Sequence, residues 1–141
     1  MKYEINESMI APCGMNCALC SGYQRTKNHC NGCKNIVGDE GLCHPRTCSI
    51  VLCDQHVGKE TIYCYECDKF PCKRMRALDL RYKTKYHMSM IANLEYIKQN
   101  GMEAFLKEQK NRWTCQVCHE TMCVHKHCCL SCNNPIVENK Y

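Results

Sequence analysis

The spacing of the cysteines constrains this chain more than any other feature. Eleven of its 17 cysteines lie within residues 13–72, and the other six lie within residues 115–132. Five pairs of cysteines are separated by two residues, which lets both sulfurs face one metal ion while backbone amides point toward the same turn. We therefore predict a protein that binds metal through thiolates. The five pairs are Cys17/Cys20, Cys30/Cys33, Cys64/Cys67, Cys115/Cys118 and Cys129/Cys132.

A disulfide framework of the kind found in small secreted proteins is the alternative use of so many cysteines. The N-terminal residues MKYEINESMIAPCG lack the apolar core of a signal peptide, and the number of cysteines is odd. The sequence also lacks an apolar stretch long enough to cross a membrane. We expect a cytoplasmic protein whose thiols are reduced and bind metal.

The content of large aliphatic residues is low for a globular protein. Leu, Ile, Val and Phe make up roughly 17% of the chain, which is below the level expected for an ordinary apolar core. Metal sites would supply the missing stability. We predict an α+β, loop-rich fold stapled by metal, with zinc-ribbon-like cysteine knuckles. Its segments would be a cysteine-rich metal-binding domain (1–72), a basic helical segment (73–112) and a C-terminal zinc ribbon (113–141).

The cysteines are predicted to form three sites that together hold about three zinc ions. The predicted ligand sets are Cys17, Cys20, Cys30 and Cys33; Cys48, Cys53, Cys64 and Cys67; and Cys115, Cys118, Cys129 and Cys132. Further candidate ligands are Cys13, Cys72, Cys123 and His125, while Cys43 is expected to be an accessory or free thiol. The pairing of Cys13, Cys43, Cys48, Cys53 and Cys72 among the sites stays open from sequence.

Iron–sulfur clusters are the alternative occupants of these thiols. The spacing of Cys13, Cys17 and Cys20 matches the signature of radical enzymes that use a cluster, but their chemistry needs a barrel larger than this chain. The ferredoxin run C-x2-C-x2-C-x3-C-P is absent. However, eleven thiols in residues 13–72 exceed what two zinc sites use. One or two clusters, for electron transfer or as an accessory to an anaerobic redox enzyme, are therefore the second hypothesis.

The middle segment has helical periodicity and carries the excess positive charge. Leu78, Tyr82 and Tyr86 are spaced for one helix; Ser89 and Gly101 are suited to begin and end a second, and a third runs from 102 to about 112. The candidate phosphate-binding residues are Lys73, Arg74, Arg76, Arg81, Lys83 and Lys85. Three tetrathiolate zinc sites would bring the formal charge of +5 to about −1, so we expect a protein partner ahead of nucleic acid.

The chain lacks the sequence motifs of common catalytic sites. It has no Ser/His/Asp order of a hydrolase, no H-E-x-x-H, no P-loop and no G-x-G-x-x-G. A reactive thiol among Cys13, Cys43, Cys72, Cys123 and Cys128 would be needed for a thiol enzyme, and nothing nearby singles one out. Because four filled ligand positions leave no open position on zinc, we expect structural sites in a non-catalytic interaction module.

The ordered motifs CGMNCALCSGY, CNGC, CSIVLC and CYECDKFPC, followed by RWTCQVC and CLSC, resemble a family of small cysteine-rich prokaryotic proteins of unknown function. The resemblance covers residues 13–132. It implies a bacterial or archaeal cytoplasmic protein that binds zinc or another thiophilic metal, and it implies no activity or catalytic residue. The chain departs from the family in having His119 after a C-x-x-C pair where Gly is frequent, and in having Cys128 beside Cys129.

Overall fold

The computed structural model describes residues 3–33, 50, 53, 63–126 and 128–135. This part of the chain is helical and rich in loops. The α-helices are α1 (Ser21–Gln24), α2 (Lys73–Tyr86), α3 (Met90–Asn100) and α4 (Met102–Trp113), and 3-10 helices span Glu7–Met9, Cys17–Leu19 and Cys64–Glu66. The β-structure found in these residues consists of isolated bridges at Ile10/Asn16, Thr114/Thr121 and Cys128/Pro135. The predicted α+β class and the division into three segments stay predictions.

The three helices predicted in the middle segment are confirmed. Ser89 precedes α3, and its hydroxyl oxygen accepts the amide N–H of Ala92 at 3.0 Å, as expected of an N-cap. Gly101, with φ +89°, ends α3 and begins α4. At such a φ a residue with a Cβ is strained, so this glycine allows α4 to follow α3 without a loop. Helix α3 packs against both α2 and α4.

A buried carboxylate joins α2 to the start of α3. Oδ1 of Asp79 accepts the hydroxyl of Ser89 at 2.6 Å and the amide of Ile91 at 3.0 Å, and Lys83 lies 3.5 Å from Oδ2. The carboxylate thus satisfies an amide at the positive end of α3 and gains from the dipole of that helix. This arrangement fixes the angle between the two helices and the position of Tyr82 on α2.

The core contains many methionines and cysteines in place of aliphatic side chains. Six of the eight methionines are buried: Met9, Met15, Met75, Met88, Met90 and Met122. They pack with Ile5, Leu94 and Phe105 in a single cluster that also includes buried cysteines from both ends of the chain. Methionine fills irregular gaps because its side chain is flexible and polarizable. The described part of the chain thus shares one apolar core.

Hydrogen bonds attach residues 121–125 to the N-terminal residues. The amide of Val124 donates to the carbonyl of Leu19 at 2.9 Å, and Nε2 of Gln24 donates to the carbonyl of Met122 at 3.0 Å. The hydroxyl of Thr121 donates to the carbonyl of Tyr3 at 2.7 Å. The C-terminal cysteine segment is therefore built into the same body as the N-terminal one.

Gly14 brings the first cysteine loop against α3. It has φ +89°, and a Cβ placed there would lie 2.9 Å from both Cγ of Leu94 and the carbonyl oxygen of Met90. Nδ2 of Asn93 donates to the carbonyl of Gly14 at 3.0 Å. The absence of a side chain is what permits this contact.

None of the helices in the described residues is long and apolar enough to cross a membrane.

Candidate metal centres

Four thiols at the C-terminal end form a compact cluster. The sulfurs of Cys115, Cys118, Cys129 and Cys132 all lie within 4.8 Å of one another. The Sγ atoms of Cys115 and Cys132 are 3.6 Å apart, as are those of Cys118 and Cys129. Four sulfurs bound to zinc at ~2.3 Å in a tetrahedron are separated by about 3.8 Å. The donor set and its dimensions therefore fit a single zinc ion, and we call these four thiols the C-terminal cluster.

The C-terminal cluster is built from two copies of one turn. In the first, the amide of His119 donates to the carbonyl of Cys115 at 2.9 Å; in the second, Asn133 donates to the carbonyl of Cys129 at 2.8 Å. Both His119 (φ +62°) and Asn133 (φ +61°) adopt the left-handed conformation, which is uncommon for residues other than Gly. Position 119, where the resembled family often has Gly, thus has a backbone conformation that favours Gly.

Backbone amides and neighbouring thiols shift the pKa values of the thiols in the C-terminal cluster in opposite directions. The amides of Cys118 and Val117 lower the pKa of Cys115 to about 6, because they stabilise its thiolate. The amide of Glu120 favours the thiolate of Cys118, but burial and the sulfur of Cys129 outweigh it and raise that pKa to about 12. The pKa of Cys132 is also raised, despite the amide of Asn134. A divalent ion would replace the protons that the other thiols retain.

The N-terminal thiols have a different arrangement and surround a cavity of about 380 Å³. Its walls come from the loop before the 3-10 helix Cys17–Leu19, that helix, α1, the loop after α1, α2, the start of α3 and the C-terminal segment. Five cysteines line it: Cys13, Cys17, Cys20, Cys30 and Cys33. We call this space the N-terminal cavity. Among the residues that the structure describes, the C-terminal cluster alone has three or more ligand atoms within 4.8 Å of one another.

Local turns direct the N-terminal sulfurs inward. The side chain of Asn16 caps the 3-10 helix Cys17–Leu19 by accepting the amide of Ala18 at 3.1 Å. The amide of Cys33 donates to Sγ of Cys17 at 3.4 Å, as amides do to thiolates in metal sites. Gly32, with φ +98°, allows the tight turn between Cys30 and Cys33. The structure thus places the predicted set Cys17, Cys20, Cys30 and Cys33 around one cavity, together with Cys13; its sharing of one zinc ion stays a prediction.

Burial and mutual repulsion oppose ionisation of these thiols in the absence of a cation. The hydrogen bond with Cys17 and burial raise the pKa of Cys33 strongly, and charges on Cys13 and Cys30 add to this effect. Burial also raises the pKa of Cys20, although the amides of Gly22 and Tyr23 favour its thiolate. The N-terminal cavity can therefore hold several thiolates only with a compensating positive charge.

His125 was a candidate metal ligand, and the structure places both of its ring nitrogens in hydrogen bonds. Nδ1 accepts the amide N–H of Ser21 at 3.2 Å, and Nε2 lies 2.9 Å from the hydroxyl of Tyr82. The ring packs edge-on against Tyr82 and Tyr86, with centroid separations of 5.6 Å and 4.8 Å. Both ring nitrogens thus have a partner within the protein, and the ring lies beside Tyr82 at the wall of the N-terminal cavity; ligation of a metal by His125 stays a prediction.

Of the remaining predicted ligands, the structure describes Cys53, Cys64, Cys67, Cys72 and Cys123. Cys48 and the accessory Cys43 lie outside the described residues. Cys64 and Cys67 flank a 3-10 turn in which the amide of Lys69 donates to Sγ of Cys67 at 3.4 Å, and Cys53 is half-buried. Cys72 precedes α2 as its N-cap residue, and Cys123 is fully buried. The predicted set of Cys48, Cys53, Cys64 and Cys67 therefore stays a prediction.

The basic side chains of α2 face solvent. The six candidate phosphate-binding residues, Lys73, Arg74, Arg76, Arg81, Lys83 and Lys85, are all exposed. Lys83 pairs with the buried Asp79 on its own helix. Burial, with the charges of Cys20 and Cys13, raises the pKa of Tyr82, which the sequence pattern marked only as a helix-face residue. Its position at the N-terminal cavity has no signal in the sequence, because it depends on the packing of α2 against residues 121–125.

Comparison with known proteins finds a family match for part of the chain. Residues 9–77 match the model of a family described as "Protein of unknown function (DUF3795)". The match covers just under half of the chain, including the N-terminal cavity cysteines and the start of α2, and it supports similarity to an uncharacterised cysteine-rich family. Neither the curated proteins nor the solved structures include a significant match.

Proposed function

We propose that this protein is a non-catalytic metal–thiolate interaction module in which the C-terminal cluster is a zinc ribbon with one structural zinc ion. The observation that carries the proposal is the separation of 3.6 Å between two pairs of its sulfurs, close to the edge of a tetrahedron around zinc. The predicted total of about three zinc ions would need the N-terminal thiols as well, and zinc is assigned here to the C-terminal cluster.

A structural role follows from the completeness of the ligand set. Four thiolates fill the tetrahedron, so neither water nor substrate has a position on the ion. Cys115 and Cys129 are fully buried, and Cys118 and Cys132 are half-buried, which limits access to the sulfurs. Amide donors already stabilise the thiolate of Cys115. Such a site stabilises structure, and in a reducing compartment such as the cytoplasm its thiols remain available to metal.

The effect of the zinc would extend beyond the two turns that bind it. Trp113 and Cys115 connect α4 to the C-terminal cluster, and Trp113 is buried, with its carbonyl accepting the amide of Met122 at 2.8 Å. Residues 122–125 then complete the wall beside Leu19 and Ser21. Zinc at the C-terminal cluster would therefore help to hold residues 122–125 in place against the N-terminal part of the molecule.

The exposed basic face of α2 is the proposed contact surface for a partner. A protein with an acidic surface is the first candidate, and nucleic acid is the second. Titration with a polyglutamate peptide and with a mixed-sequence oligonucleotide, each at low and high salt, distinguishes them. Reversal of two charges, by Arg76→Glu and Arg81→Glu together, should weaken the relevant interaction at least tenfold. If the variant with reversed charges bound the partner as tightly as the wild type does, α2 would not be the contact surface.

Metal analysis of one cysteine variant and a matched control tests the zinc site. Cys115→Ser should lose about one zinc per chain, because it removes one of four ligands. Cys128→Ser is the control: Cys128 lies next to Cys129 but outside the C-terminal cluster, and it is half-buried. We expect the control to retain the full zinc content by elemental analysis. An unchanged zinc content in Cys115→Ser would show that the C-terminal assignment is wrong.

A further inference from the structure

The N-terminal cavity is too large for one tetrahedral ion. Four thiolates around a single ion pack against it directly and leave no internal space. The N-terminal cavity has a volume of about 380 Å³, which lies in the range of sites that hold a ligand of several atoms, ~300–1,000 Å³. Its size alone is compatible with many ligands, and the side chains at its wall define their chemistry.

The wall combines five thiols with an apolar shell. The thiols are those of Cys13, Cys17, Cys20, Cys30 and Cys33. Met15, Ile50, Leu78 and Met90 give other parts of the wall an apolar surface, and Ser21 and Arg25 add polar groups. Several thiolates within an apolar shell favour a ligand that is cationic at its core and soft, such as iron bridged by sulfide.

The spread of the thiols agrees with a centre of several metals. Within the described residues, no three of these sulfurs meet the mutual 4.8 Å limit that all four sulfurs of the C-terminal cluster meet. In a [4Fe–4S] cluster each thiolate binds a different iron, and in a [2Fe–2S] cluster the four thiolates are divided between two irons. In both, the four thiolates are spread more widely than around a single ion. The amide of Cys33 also donates to Sγ of Cys17, a hydrogen bond of the kind that tunes cluster potentials.

The hydrogen bonds of His125 determine the direction of the Tyr82 hydroxyl. Because Nδ1 accepts the amide of Ser21, the ring proton resides on Nε2 and is donated to the oxygen of Tyr82. The hydroxyl proton of Tyr82 must then point away from His125, and Tyr82 lines the N-terminal cavity. The cavity thus contains a hydrogen-bond donor in addition to its thiols.

From these observations we propose that the N-terminal cavity binds an iron–sulfur cluster through four of its five thiols, Cys17 and Cys33 among them, and that Tyr82 donates a hydrogen bond to a sulfur of the cluster. The inference rests on the proposed metal–thiolate function, and it assigns a different centre to the N-terminal half. Tyr82 is a positioning and tuning residue here and is not a ligand.

Analysis of iron and acid-labile sulfide in the full chain tests the cluster. The protein is purified without oxygen from cells supplied with both iron and zinc, or reconstituted with iron and sulfide. We expect about two to four irons per chain with an equal amount of sulfide, and a broad visible absorption. Zinc without sulfide in the N-terminal half, or protein with neither, would overturn the proposal.

Two cysteine variants separate this proposal from the zinc proposal. Cys17→Ser should lose the iron and sulfide but retain the zinc of the C-terminal cluster, and Cys115→Ser should lose that zinc. Sulfide that remains in Cys17→Ser at the wild-type amount contradicts the cluster assignment. If the zinc content depends on Cys115 but no variant contains sulfide, the iron–sulfur proposal is wrong and the zinc-ribbon proposal is still supported. Circular dichroism confirms that each variant keeps the three long helices.

Tyr82→Phe tests the hydrogen bond without removing a ligand. The variant should keep the wild-type amounts of iron and sulfide, and its midpoint potential, measured by titration with dithionite, should be lower. The reason is that a hydrogen bond to cluster sulfur stabilises the reduced, more negative form. Tyr86→Phe is the matched control, since the ring of Tyr86 also packs against His125 but Tyr86 is not among the residues that line the cavity. An unchanged potential in Tyr82→Phe would remove Tyr82 from the proposal.

Discussion

The C-terminal cluster and the N-terminal cavity use the same residue and the same C-x-x-C spacing, yet they have different geometry. In the C-terminal cluster four sulfurs lie within 4.8 Å of one another, whereas in the N-terminal half five thiols line a cavity of about 380 Å³. The C-x-x-C unit places two sulfurs beside each other, but it does not determine how closely two such units approach. That second distance is what distinguishes a site for one ion from a site for a larger centre.

The two regions differ in the elements that bring their thiols together. The C-terminal cluster consists of two similar turns, each followed by a left-handed residue, His119 and Asn133. Around the N-terminal cavity, the thiols lie on the 3-10 helix Cys17–Leu19, on the loop before it, at the N-cap of α1 and on the loop after α1, and α2 and His125 contribute to the rest of the wall. The first arrangement depends on local structure, and the second depends on the tertiary packing of distant segments.

Removal of metal from the C-terminal cluster should have the largest effect. A structural zinc contributes on the order of 10 kcal/mol to folding, so a strong chelator should unfold residues 113–135 and expose Trp113. Trp113 is the sole tryptophan and is 2% exposed, so its fluorescence should shift to longer wavelength. Selective extraction of iron from the N-terminal cavity should leave this emission unchanged. If iron extraction shifted the Trp113 emission and zinc removal did not, the N-terminal centre and not the C-terminal cluster would stabilise residues 113–135.

Gly14→Ala should be more damaging than Gly101→Ala, and it should affect the N-terminal half. The left-handed φ costs about 1–2 kcal/mol for a residue with a Cβ. Contacts of 2.9 Å with Leu94 and Met90 add an overpacking cost of about 1–3 kcal/mol. Gly101→Ala is the matched control, because Gly101 has the same φ of +89° and no atom within 4 Å of its added Cβ. Chemical denaturation should show a larger loss for Gly14→Ala; equal losses would exclude the steric contribution.

Zinc affinity of the C-terminal cluster should fall as the pH falls, because zinc competes with protons for the thiolates. At neutral pH Cys115, with a pKa of about 6, is ionised, while Cys118 and Cys132, with raised pKa values, hold protons that zinc must displace. Each proton that zinc displaces makes the affinity change about tenfold per pH unit. Below pH ~6 protonation of Cys115 should steepen the slope. Competition with a chromophoric chelator measures it, and a flat profile would contradict the assignment.

The smallest effect is expected at the left-handed residue of the first C-terminal turn. His119→Gly should stabilise the zinc-bound protein by about 1 kcal/mol, because Gly adopts φ +62° without the steric cost of a Cβ. Asn133→Gly should stabilise it less, since Asn tolerates this conformation better than His. Thermal unfolding of both variants with zinc bound tests the order. A destabilised His119→Gly would mean that the imidazole makes a contribution of its own.

Sequence reasoning predicted the local structure well. The three helices of the middle segment, the N-cap at Ser89 and the glycine at position 101 all follow from periodicity and capping preferences, which depend on neighbouring residues. The four residues of the C-terminal cluster followed from spacing for the same reason. The role proposed for Tyr82 and the orientation of His125 could not be predicted, because they arise from contact between residues 43 positions apart.

The sequence by itself determined that this protein carries thiol pairs spaced to hold metal and a helical middle segment, because C-x-x-C pairs and helical periodicity act over a few residues. Only the tertiary structure decided how closely the pairs approach and which side chains lie beside them. Gly14 against α3, Val124 on Leu19 and His125 on Tyr82 are contacts between segments far apart in the chain. Because the separation of sulfurs sets the kind of centre a site can hold, the chemistry of each half depends on that packing.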